Sequence, residues 1–184
     1  MTFDPKIHHR RSIRLSTYDY SQAGMYFVTT CTQNHECLFG NIVDGKMHLN
    51  EIGRLVESMW NEITQHFQQV ELDELVIMPN HIHGIIGIGT FQEECAGRKT
   101  APVFSTFPSS MTVANSAPPL GKIMRSFKSR SAIAANKLLG RTSKPLWQRN
   151  YWERVIRHDK ELQDIREYIS NNPLQWHLDQ LYRW

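Results

Sequence analysis

Apolar positions fall along this chain in two rhythms, and the alternation between them predicts most of its elements. From Met25 to Thr32 the run MYFVTTCT is aromatic and β-branched with no helical spacing, which predicts a strand. Asn41 to Lys46 reads as a turn, with Asp44-Gly45 its strongest signal. Ile52, Leu55, Val56, Met59, Trp60, Ile63 and Phe67 then recur three and four residues apart, which lays one apolar stripe along a helix. Asn50 is its expected N-cap. Val70–Met78 and Ile82–Ile88 predict two more strands around the turn pair Pro79-Asn80.

Helical spacing returns from Leu120 to Leu139. Leu120, Ile123, Met124, Phe127, Ala134 and Leu138 share one side, Lys122, Arg125 and Ser129 fall opposite, and Gly140 ends the helix. Trp147–Arg157 predicts a strand. Asp159 is expected to cap a last helix running to about Asn171, with Pro173 helping to end it. This order of elements predicts an α+β fold with helices packed on one face of an antiparallel sheet.

Two stretches carry neither rhythm. Between Thr90 and Pro119, 16 of 30 residues are Ser, Thr, Ala or Pro, and half of the chain's eight prolines lie there. So long a structureless connection is either functional or disordered, and it is expected to be a mobile insertion in a single domain spanning 1–184. Residues 1–20 form a second such stretch, a basic arm with Lys6, Arg10, Arg11 and Arg14.

Composition narrows the class. With 184 residues the chain can bury a core unaided, and 40% hydrophobic with 21% charged residues excludes a disordered chain and a membrane bundle. No apolar run approaches the ~20 residues of a membrane helix, and the N-terminus lacks a secretory apolar region. Three cysteines without CxxC spacing are expected in a reducing cytoplasm.

The net charge of +3 says less than its distribution. Between Leu120 and Arg157 stand ten basic residues and one acid, Glu153, leaving the remainder of the chain at −6. A lone charge run is more often a solvated helix face. Here Phe127, Trp147, Tyr151 and Trp152 interleave the charges, which suits a single-stranded nucleic acid offering both phosphates and base faces.

Met78-Pro79-Asn80-His81-Ile82-His83-Gly84 holds the candidate chemistry. On a strand, His81 and His83 point the same way and converge on one ion, while Ile82, Gly84, Ile86 and Ile88 face the core. HxH alone is a weak motif and does not name the reaction. In the last helix Tyr168 sits at the edge of the stripe Leu162, Ile165, Ile169, and Asn172 follows one turn later. An amide oxygen can ligate a hard cation, with Asp164 the competing ligand on that side. A tyrosine there is more often packing with a solvated hydroxyl, so the helix by itself leaves both roles open.

Taken together, Arg10-Arg11-Ser12-Ile13-Arg14-Leu15, Tyr18-Asp19-Tyr20, Gly24-Met25-Tyr26-Phe27-Val28-Thr29, Met78–Gly84, Phe127-Lys128-Ser129, Trp147-Gln148-Arg149-Asn150-Tyr151 and Ile165–Pro173 resemble the single-tyrosine HUH transposases. The branch they look like is the REP-associated tyrosine transposases of bacteria. The resemblance spans most of the chain outside Thr90–Pro119 and the last dozen residues, and the order of motifs is more specific than any one of them.

That resemblance implies a ferredoxin-like fold, a homodimer, and Mg²⁺ or Mn²⁺ held by His81, His83 and Asn172. It implies Tyr168 as the nucleophile that cleaves single-stranded DNA beside a hairpin of a repetitive palindromic element, through a 5′-phosphotyrosine link. Arg10, Arg11, Arg14, Lys122, Arg125, Lys128 and Arg149 would grip phosphates. The implied location is the bacterial cytoplasm, on the nucleoid when DNA is bound. Two departures stand out: Arg154 replaces a frequent histidine, and His158 replaces a frequent asparagine cap. A hairpin-binding module without turnover, and a metal-dependent phosphodiesterase using water, remain the competing readings.

Overall fold

The chain pairs its main strands Val70–Met78, His81–Ile88, Gly24–Cys31 and Trp152–Ile156 side by side in that order, all antiparallel, and that order explains which side chains meet. The computed structural model describes residues 22–89, 119–142, 144–179 and 181. In sequence they form β1 (Gly24–Cys31), β2 (Gly40–Val43), β3 (Lys46–Leu49), α1 (Glu51–Asn61), α2 (Ile63–His66), β4 (Val70–Met78), β5 (His81–Ile88), α3 (Leu120–Leu138), β6 (Trp152–Ile156) and α4 (Asp159–Asn171). The main sheet and its crossover helices trace βαββαβ, the ferredoxin-like pattern. β2 and β3 form a separate hairpin on the Asp44-Gly45 turn, where both residues take positive φ (50° and 71°), as a two-residue hairpin loop requires.

The sheet separates two cores. On one face α1 and α3 cover Tyr26, Val28, Ile77, Ile82 and Ile86. Gly84 belongs to this face because a Cβ there would stand 2.4 Å from Trp60 Cζ2. The expected one-sided packing holds for these two helices. α4 lies on the opposite face, where Leu162, Ile165 and Ile169 meet Met25, Ile85 and Ile156. Each such buried aliphatic contributes about 1.5–3 kcal/mol, so three of them seat α4 firmly.

β4 departs from simple alternation. Its register slips between Leu72 and Leu75, leaving one extra residue opposite β5. The bulge keeps Leu72 and Leu75 together against the larger core and frees Asp73 to bond Arg166 of α4.

Three local expectations are revised. The strand expected over Trp147–Arg157 is confined to Trp152–Ile156, because Trp147 is drawn into the core against Phe39 and Phe127 and donates to Ser131 Oγ at 2.9 Å. In α3 the buried stripe steps by four from Phe127 to Ser131 and Ala135, so Ala135 takes the place expected for Ala134, and Leu138 is exposed. The cap of α4 is His158, whose Nδ1 accepts from Glu161 N–H at 3.1 Å, while Glu161 reaches back to Arg157 N–H at 2.9 Å. α4 ends at Asn171 as expected, and the chain continues past it as 3₁₀ helix over Asn172–Leu178. The basic arm with Arg10, Arg11 and Arg14, and the 90–119 segment apart from Pro119, lie outside the described residues.

Candidate metal and tyrosine site

With Ile82, Ile86 and Ile88 taken by the larger core, alternation along β5 turns His81 and His83 toward α4. Both imidazoles are buried, and their Nε2 atoms lie 3.0 Å apart. The outer nitrogens decide what those Nε2 atoms carry. Asn80 directs its amide N–H groups to the carbonyls of Leu181 (2.8 Å) and His35 (3.4 Å), so its Oδ1 accepts from His81 Nδ1–H at 2.8 Å. His83 Nδ1 bonds the Thr29 hydroxyl at 2.7 Å. His81 thus spends its Nδ1 proton outward and presents an Nε2 lone pair inward, and the Thr29 hydroxyl is able to accept the same bond from His83 Nδ1–H, the arrangement of metal-binding histidines with supporting partners. Burial pushes both imidazoles down to about 3, further lowered by His35 for His81 and by His81 for His83.

Two oxygen donors complete the cluster. Asp179, in the segment after α4, places Oδ2 3.8 Å from His81 Nε2, and Asn172 Nδ2 donates to that oxygen at 3.4 Å. That bond turns Asn172 Oδ1 into the cavity, where it is buried without a hydrogen-bond partner. One ligand atom each from His81, His83 and Asp179 lies within 4.8 Å of the others. Two imidazole nitrogens and a carboxylate oxygen thus gather in one buried place, and a cation would satisfy them together. Two ligands at ~2.1 Å from one octahedral ion stand about 3 Å apart, as the two Nε2 atoms do. The residues therefore fit a divalent metal.

Tyr168 projects from α4 into the same cleft, 44% exposed, with its hydroxyl 3.2 Å from His83 Nε2. Its ring stands edge-on to Phe27 and His83. Burial and then the charge of Asp179 raise the phenol above its ordinary 10.0, with a hydrogen bond from Asn172 opposing them. The tyrosine is thus a poor nucleophile until positive charge enters the site. The cleft measures about 900 Å³, and Thr29, Trp152, Arg154 and Asp164 line it beyond the donor cluster.

The fold brings together His81, His83, Tyr168 and Asn172, all read from the sequence. Asp164 reaches the cleft but not the donor cluster, where Asp179 stands instead. No spacing rule reaches a carboxylate seven residues past Asn172 and beyond a proline. The anticipated phosphate-gripping residues are dispersed. Lys122 and Arg125 are exposed on α3, across the sheet from the tyrosine, and Arg149 is exposed in the loop before β6. Lys128 turns its ammonium onto the carbonyls of Gln148 (2.7 Å), Asn150 (3.0 Å) and Arg149 (3.3 Å), so it holds that loop.

A ferredoxin-like sheet with paired histidines on a central strand and a tyrosine one helix away on the same face is the arrangement that the resemblance to single-tyrosine HUH transposases implies. No protein-family model matches the chain. A Haemophilus influenzae protein carrying the name "Uncharacterized protein" is 43% identical over 180 residues, 98% of this chain and 97% of that one. The chain belongs to one family with it. A second Haemophilus influenzae protein, named "Putative REP-associated tyrosine transposase", is 26% identical over 157 residues, 85% of this chain and 74% of its own. The solved structure of a REP-associated tyrosine transposase bound to a REP hairpin shares the fold, with TM-score 0.52, 16% identity, and 90% and 73% of the two chains covered. The chain is thus similar in sequence to a putative REP-associated tyrosine transposase and in fold to a solved one.

Proposed function

We propose that this protein is a metal-dependent single-stranded DNA transposase that binds a hairpin and cleaves beside it through Tyr168. The observation that carries the reading is the Tyr168 hydroxyl standing 3.2 Å from His83 Nε2, at the lip of a buried cluster of cation-seeking donors. A relative bound to a REP hairpin supports the choice of substrate.

His81, His83, Asn172 and Asp179 would hold Mg²⁺ or Mn²⁺, which when bound supplies positive charge against a nonbridging phosphate oxygen. The chain's own residues do the rest. Asn80 and Thr29 fix the two rings, and α4, packed through Leu162, Ile165 and Ile169, aims Tyr168 for in-line attack. The phenolic oxygen forms a bond to phosphorus as the bond to the 3′-oxygen breaks. The phenol's proton is balanced by the proton on the freed 3′-hydroxyl, and the 5′-phosphate stays on Tyr168. Attack by a 3′-hydroxyl on that link reverses the step and rejoins DNA.

Lys122, Arg125 and Arg149 meet phosphates away from the scissile one, so affinity falls steeply with salt. Arg10, Arg11 and Arg14 are assigned to the duplex stem. A homodimer and a cytoplasmic, nucleoid-bound location belong to the same reading. The contact between Tyr168 and His83 within one chain supports a site built inside a single protomer. Among the described residues no helix is long and apolar enough to cross a membrane.

The test is a denaturing gel of the protein with end-labelled hairpin oligonucleotides copied from repeats flanking its own gene, with Mn²⁺. A covalent band that disappears in Tyr168→Phe supports the reading. Cleavage surviving in Tyr168→Phe means a water-using phosphodiesterase, and binding without cleavage means a hairpin-binding module.

A further inference from the structure

An exposed indole, that of Trp152, lines the tyrosine cleft. Pairing across the sheet places Val76, His83, Thr29 and Trp152 in one row, so all four project to the same face. Trp152 therefore stands two strands from His83, roughly 10 Å at ~4.8 Å per strand. The residue between them is Thr29, whose hydroxyl orients His83. In the adjoining row Arg154 lies beside Phe27 and Ile85 on that same face.

Both residues sit on β6, the edge strand of the four-stranded order, and both line the cleft. Trp152 is 68% exposed, whereas Trp60 and Trp147 are buried in the larger core. The Arg154 side chain is also 68% exposed, but Glu161 Oε1 pins its guanidinium at 2.6 Å. A large apolar ring left in solvent, on a rigid strand facing the site, is surface reserved for a ligand with a flat face. A guanidinium two residues along the strand adds a phosphate contact to that face.

We propose that Trp152 and Arg154 form a nucleotide platform: an unpaired base next to the scissile phosphate stacks on the indole, and an adjacent phosphate meets Arg154. The inference rests on the DNA reading above and deepens it, since it states how the single strand is laid across the sheet toward Tyr168. Stacking on one face of an indole tolerates any base, so the platform sets the path of the strand and leaves sequence choice to other contacts.

The experiment uses the same repeat-derived hairpins with single-stranded extensions, each carrying one 2-aminopurine, against wild type, Trp152→Ala, Trp152→Phe, Arg154→Gln and Tyr168→Phe. One extension position is expected to be quenched by wild type, Tyr168→Phe and Trp152→Phe but to stay bright with Trp152→Ala. Trp152→Ala should bind about tenfold or more weaker, with an unchanged melting temperature. Arg154→Gln should lower the salt slope of binding by about one unit. If wild type forms the tyrosine adduct while no position depends on Trp152 and the Ala variant binds equally well, the platform is refuted and the DNA reading stands. If wild type neither binds these hairpins nor forms an adduct, both fall together.

Discussion

The Tyr168 hydroxyl and His83 Nε2 lie 3.2 Å apart although 85 residues separate them in the chain. Two independent features create that contact. β5 enters the centre of the sheet with its histidines turned away from the larger core, and α4 closes over that face on its own small core. Tyr168 is therefore delivered by packing, and whatever loosens α4 moves it.

The Arg166–Asp73 pair is the polar half of that packing. Arg166 Nε donates to Asp73 Oδ1 at 2.9 Å and a terminal nitrogen bonds Oδ2, tying α4 to the bulge in β4. Arg166→Ala should cost about 1 kcal/mol, because the pair is partly solvent-screened. Adduct formation should slow by more than this loss of stability explains. Paired denaturation and single-turnover cleavage measurements decide it.

The same pair gives a pH dependence. Hydrogen bonds from Arg166 hold the Asp73 carboxyl below its ordinary 3.8, opposed by burial. A carboxyl lowered in the folded state contributes stability that is complete above its ordinary value and is lost as pH falls through the folded one. The difference in melting temperature between wild type and Asp73→Asn should stay constant from pH 5 to 8 by this linkage and shrink below about 4.

Thr29 orients His83, a proposed metal ligand, from outside the donor cluster. Thr29→Val keeps the shape but leaves His83 Nδ1 without its oxygen, which should weaken Mn²⁺ binding by about 10–100-fold. Asp179→Asn should weaken it as well, whereas Asp164→Asn should leave it nearly unchanged. Mn²⁺ titration followed by electron paramagnetic resonance reads all three without DNA.

Gly84 faces the larger core and is needed for space. In Gly84→Ala the new Cβ would stand 2.4 Å from Trp60 Cζ2 and 2.8 Å from Cη2, so the indole or the strand must shift. A loss of about 1–3 kcal/mol is expected, measured by urea denaturation. His83 lies next in β5, so Mn²⁺ affinity should fall with it.

Lys128 tests whether a basic residue in a basic run meets DNA or holds the protein. Its three carbonyl bonds predict that Lys128→Met loosens residues 148–150, seen as faster amide exchange there. A residue acting only through phosphate contact would instead leave exchange unchanged and reduce the salt slope.

The sequence by itself determined most of the elements and half of the site, though β2 and β3 lie where it showed only a turn. Periods of two and near 3.6 marked β1, β4, β5, α1, α3 and α4, because each element shows its buried face in its own residues. His81 with His83, and Tyr168 with Asn172, were legible for the same reason, since local spacing fixes which side chains share a strand face or a helix face. What tertiary structure alone decided involves partners distant in the chain. It put α4 on the face opposite α1 and α3, brought Asp179 to the histidines, assigned Thr29 and Asn80 to orient them, and sent Lys128 to a loop. It also divided the tryptophans, burying Trp147 between Phe39 and Phe127 and leaving Trp152 in the cleft. Alternation predicts only that neighbours on a strand face opposite ways; which face meets a core depends on which strands lie beside it.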